Sequence, residues 1–102
     1  MVRGNDMGEV RRTIRFFADY GAYSPLWENG TSTYLMSPSD YGLSDSLTKR
    51  LLAWAEYWNS HYHWENRWDD PISERTSRLE GDILVAELRK EVADFADVVD
   101  ER

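Results

Sequence analysis

The chain has 102 residues, of which 41% are hydrophobic and 14% aromatic; that suits one domain with a single core and is too apolar for the disordered class. It contains no cysteine, which excludes disulfides, thiolate nucleophiles and cysteine-held zinc or iron–sulfur clusters. The net charge is −7, with eleven carboxylates against five basic side chains in residues 69–102; no basic surface beyond Arg11, Arg12 and Arg15 offers itself to phosphate, so direct nucleic-acid binding is not expected.

Residues 1–12 read as a flexible polar tail and residues 13–102 as a single α+β domain. The first residues lack the apolar core of a signal peptide. No apolar run approaches the roughly 20 residues that span a bilayer, and the expectation is a cytoplasmic protein with no membrane attachment. Thr13 to Tyr20, "TIRFFADY", is rich in β-branched and aromatic residues and predicts a strand, with Ile14, Phe16 and Ala18 on one face and Arg15, Phe17 and Asp19 on the other. Gly21 ends it, and Ser24-Pro25 opens a loop. Asn29-Gly30 takes the positive φ angles of a tight hairpin turn, ahead of a short strand over Thr33–Met36. "SPSDYGL" is a polar connection.

The first helix is predicted from Asp45 to about Tyr62. Ser44 is its N-cap, and Leu47, Leu51, Trp54 and Trp58 recur at steps of 4, 3 and 4 along one apolar stripe. Asp70-Pro71 starts a second helix, since Asp caps well and Pro suits the first helical position. Its main stripe reads Ile72, Thr76, Leu79, Ile83 and Ala86, with Leu84 and Leu88 opening a second face. Gly81 costs about 1 kcal/mol relative to alanine in mid-helix, which predicts close approach of a neighbouring element there. Lys90 lands on the main stripe and predicts the end of the helix. Leu88, Val92, Phe95 and Val99 would suit a continued helix; Phe95–Asp100 equally suits a short strand, which is preferred because the first strand needs a further partner. The expected architecture is a two-layer α+β fold, a small sheet of three or four strands with two amphipathic helices packed on one face.

Chemistry concentrates in "WAEYWNSHYHWENRW", residues 54–68, which holds four of the five tryptophans and both histidines. On a helix, His61 and His63 point apart and cannot share a metal, and a lone His-x-His supplies two of the four ligands zinc wants. Neither a metal nor a cofactor is expected. No glycine-rich phosphate loop and no nucleophile elbow occurs, so no catalytic residue is assigned. Trp54 and Trp58 are read as core, whereas Trp64 and Trp68 lie past the clean part of the helix. Large aromatics and arginine anchor protein interfaces. The predicted partner-binding surface therefore joins Tyr57, Trp64, Arg67 and Trp68 to the acids Asp94, Asp97, Asp100 and Glu101.

The stretches "FFADY", "SPLW" (Ser24 to Trp27), "LSDSLTKRLLAWAEYWN" (Leu43 to Asn59), Glu80-Gly81 and "DFADVVDE" resemble a group of small proteins from actinobacteria and their phages. That resemblance implies a bacterial or phage setting and no activity. The function expected is a non-enzymatic protein-binding module, such as a phage-encoded modulator or a bacterial immunity-type inhibitor. Two alternatives stay open: a small-molecule-binding protein or enzyme with an aromatic cleft and His61 or His63, and an acidic DNA mimic.

Overall fold

Alternation of Ile14 and Phe16 with Thr13 and Arg15 places two large apolar side chains on one face of strand β1 (Arg12–Phe16), and both are fully buried in the computed structural model, which describes residues 11–102. The strand is shorter than the apolar run that predicted it. After Phe16 the chain turns away through Gly21 (φ +74°), and Asn59 pins this loop by accepting from the Gly21 N–H at 2.7 Å. The predicted tail lies almost wholly outside the described residues.

Strand β2 (Leu26–Trp27) pairs antiparallel with β1, and β3 (Leu35–Met36) pairs antiparallel with β2. Asn29-Gly30 does not make a two-residue turn. The connection spans residues 28–34, closed by Glu28 N–H donating to the Tyr34 carbonyl at 2.9 Å, with Gly30 and Tyr34 both at positive φ. The next segment is more ordered than its polarity suggests. Ser37 and Asp40 form a reciprocal capping box around a one-turn 3-10 helix, Pro38–Tyr41, that buries Pro38 and Tyr41.

Helix α1 (Asp45–His61) starts where Ser44 accepts from the Leu47 N–H, and it buries Leu47, Leu51, Trp54 and Ala55. Trp58, expected in the core, is only half-buried because it sits in the last turn, beyond the reach of the sheet. A two-stranded hairpin, β4 (Tyr62–His63) with β5 (Arg67–Trp68), follows directly. Helix α2 (Pro71–Glu91) is capped by Asp70, whose carboxylate accepts from the Ile72 N–H at 2.7 Å. It returns antiparallel to α1: near its end Glu91 accepts from the Ser44 backbone N–H at 2.8 Å.

The face that α2 buries differs from the expected one. Ile72, Thr76, Leu79, Ile83 and Ala86 are all exposed, and Ser73, Ser77, Gly81, Leu84, Val85 and Leu88 face the core. The cause is Trp54. Its indole N–H donates to the Ser77 carbonyl at 2.8 Å, so the ring lies against the α2 backbone, which only small side chains permit. Lys90 therefore falls on the solvent side, and the helix ends one residue after it, at Glu91, close to where it was expected to stop.

Strand β6 (Ala96–Asp100) pairs parallel with β1, with Ile14 opposite Val98. The sheet order is β3-β2-β1-β6, a mixed four-stranded sheet. Both helices cover one face, where Ile14, Phe16, Leu26, Ala96 and Val98 meet Leu51, Trp54, Leu84 and Leu88 in one core. The fold is the α+β architecture expected, with the hairpin as an addition.

Candidate functional site

Five elements converge on one groove. Phe17 and Ala18 leave β1, Trp54 and Trp58 come from the second half of α1, Tyr62 and Trp68 from the hairpin, Glu74 to Asp82 from α2, and Asp100 to Arg102 from the exit of β6. The space between them is about 720 Å³, within the range of ordinary ligand sites. A smaller groove of about 250 Å³ lies across α1, between Tyr57, Thr76 and Glu80.

The wall of the large groove is aromatic for a local reason. Trp54, Trp58 and Tyr62 follow one another at four-residue steps, so the stripe that packs the core continues past the edge of the sheet. Trp58 stacks on Tyr62 with ring centroids 4.7 Å apart, and Trp68 meets Tyr62 edge-on at 5.2 Å. Tyr20, more than half exposed, tilts against Trp58 at 5.0 Å. Arg67 holds the hairpin in shape at φ +64° and donates to the Tyr62 hydroxyl at 2.9 Å. A bulky residue in the left-handed region is strained, and such strain collects at functional sites.

The opposite rim is charged. Arg102 donates to Asp82 at 2.6 Å, to Asp100 at 2.7 Å and to the Arg78 carbonyl at 3.1 Å. Its hydrogen bonds hold the Asp100 carboxyl below the usual range, and Asp100 and Asp82 raise the guanidinium further above its already high value. Gly81 makes room for this: a methyl group there would overlap the guanidinium. The close approach expected at Gly81 is thus made by a side chain from the end of β6. Glu101 pairs with Arg15 at 2.8 Å, which lowers its pKa in the same way.

The residues singled out from the sequence do not form one surface. Trp68, Asp100 and Glu101 reach the large groove. Tyr57 faces the smaller one and packs on His61, ring centroids 4.2 Å apart. Trp64 stands at the hairpin tip, 73% exposed, with Arg67 on the same hairpin. Asp97 lies toward the start of β6, bonded to Arg11 at 3.2 Å, and Asp94 is exposed in the turn before that strand. Trp58, Tyr62, Glu74, Asp82 and Arg102 were missed. For the two rings the signal was present, since their four-residue step from Trp54 overruns the helix end; nothing local marks the partners of Arg102.

His61 and His63 do not line the groove. His61 Nδ1 lies 2.8 Å from Asp69 and 3.3 Å from Ser73, which lowers the Asp69 pKa. Both partners meet the same ring nitrogen, whereas a catalytic relay needs the nucleophile on one nitrogen and the acid on the other. Among the described residues, no three His, Asp or Glu side chains gather to hold a metal ion, and no helix is long and apolar enough to cross a membrane.

A family model described as Serratia CdiI immunity protein-like matches residues 12–99, from the first residue of β1 to the last but one of β6. No curated protein matches the chain.

Proposed function

The chain belongs to the Serratia CdiI immunity protein-like family, and on that premise we propose that it is an immunity-type inhibitor that binds a protein toxin and blocks it. The observation that carries this reading is the extent of the match, which takes in every element of the fold from β1 to β6. The surface supports it. Tryptophan, tyrosine and arginine are the residues that anchor tight interfaces, and they collect here: the half-buried Trp58, Tyr62 and Trp68 line the groove, with the exposed Tyr20, Trp64 and Arg67 beside it. The setting belongs to the same proposal: the cytoplasm of a bacterium, or of a bacterium carrying a phage.

Capture of the toxin from producing cells, followed by coexpression with it in a sensitive bacterium, tests the reading. Growth should be restored by the intact chain and lost with the double substitution Trp64→Ala/Trp68→Ala. Toxicity that persists with the intact, folded chain present at equal level would remove it.

A further inference from the structure

We propose that the groove receives an arginine side chain of the toxin, and that Arg102 is a resident guanidinium which yields Asp82 when that arginine enters. The identity of the partner rests on the immunity reading; the chemistry of the groove does not.

The groove already holds a guanidinium, and it shows how. Arg102 lies on the bare backbone of Gly81, its charge between Asp82 and Asp100 and its carbon 5.8 Å from the Phe16 ring centroid. The two carboxylates are not equivalent. The Asp82 side chain is 57% exposed and the Asp100 side chain 31%, so Asp82 is the one an incoming group reaches, while Arg102 keeps Asp100. Asp82 lies eight residues from Glu74 along α2, and the Glu74 carboxylate forms no hydrogen bond or ion pair among the described residues.

The same groove is lined by Trp58, Tyr62 and Trp68, and aromatic rings attract a cation. A planar, weakly hydrated guanidinium suits such a slot better than an ammonium, because it stacks and accepts a bidentate carboxylate together. The charge also favours a basic occupant. Four acids line the groove, Glu74, Asp82, Asp100 and Glu101, against Arg78 and Arg102, in a chain of net charge −7. That net charge disfavours a second copy as the occupant. Trp64 and Tyr20 outside the mouth extend the contact beyond one side chain, as a protein loop would use and a free amino acid would not.

The test needs no toxin. Acetylated hexapeptides of arginine, lysine and citrulline are titrated into the full chain, and the indole N–H signals of Trp58 and Trp68 are followed by magnetic resonance. The arginine peptide should shift both signals and bind at least ~10-fold tighter than the lysine peptide, with citrulline silent. Asp82→Asn and Glu74→Gln should each weaken it severalfold. Arg102→Ala should tighten it more than Arg78→Ala does, since both remove one rim charge and only the first frees Asp82. Equal binding of arginine and lysine, equal effects of the two arginine substitutions, or dimerisation through the groove in place of peptide binding would overturn the proposal. Each variant is checked for folding by circular dichroism. Peptide failure with growth protection intact removes this inference alone; peptide binding without protection removes the immunity reading alone.

Discussion

Glu28 joins the open end of the sheet to the one-turn helix. It accepts from Arg12 at 2.8 Å and from the Tyr41 hydroxyl at 2.8 Å, and its side chain is 13% exposed. The Arg12 hydrogen bonds, with a further contribution from Tyr41, hold its pKa below the ordinary value of 4.5. A lowered carboxylate pKa contributes stability that is full above the ordinary value and is lost as pH falls through the lowered one. Urea unfolding should therefore show stability dropping below about pH 5, and Glu28→Gln should cost about 1–3 kcal/mol at neutral pH while flattening that acid slope. Gly81 gives a second residue-scale expectation. Gly81→Ala alone pushes Arg102 off its seat, whereas in an Arg102→Ala background it should stabilise the chain by about 1 kcal/mol through helix propensity. A double-mutant cycle in urea reads the coupling; additivity would mean that Arg102 gains nothing from the missing side chain. Gly81 was legible as a close approach, but its partner lies 21 positions away in the chain, and no local pattern connects the two.

Helix α2 carries two apolar stripes, and only one is core. Leu84→Ala should cost about 2–5 kcal/mol, because Leu84 is fully buried between the sheet and α1. Ile83→Ala should stay within about 0.5 kcal/mol, since Ile83 faces solvent. Thermal unfolding of the two neighbours decides between the stripes; a larger loss at Ile83 would refute the orientation. The longer and more regular stripe, from Ile72 to Ala86, is the exposed one. Periodicity measures how apolar a face is, not what meets it, and Trp54, bonded to the Ser77 carbonyl, needs a small side chain there against its ring. Element ends were legible, because Ser44 and Asp70-Pro71 act on hydrogen bonds within three residues. Strand β6 is an edge whose outward carbonyls are covered by side chains: Arg11 donates to Ala96 at 2.7 Å and Arg89 to Val98 at 3.0 Å. Such cover keeps an edge from pairing with another chain.

On the scale of the whole molecule, the parallel pairing of β1 with β6 draws the two ends of the fold together. It carries Asp100 to Arg102 to the place where α1 ends and the hairpin begins, and the groove exists only because these ends meet. A net charge of −7 acts over the same distance. Association with a basic partner should slow by about 10-fold when ionic strength is raised from about 50 to about 500 mM, with a smaller change in dissociation. Stopped-flow tryptophan fluorescence measures both, and a rate indifferent to salt would show that charge does not steer the encounter.

Legible from the residues alone were the fold class, the two helix starts, the alternation of faces along β1 and the concentration of aromatic residues at 54–68, because caps, periods and composition act through neighbours along the chain. The tertiary structure alone decided which face of α2 is buried, that Trp58 lines a groove and not the core, and that Asp100 and Glu101 join Trp68 while Asp94, Asp97 and Tyr57 do not. These depend on which surfaces meet across the sheet and between the helices, and that is set by the packing of Trp54 and the pairing of β6 with β1 rather than by any local pattern.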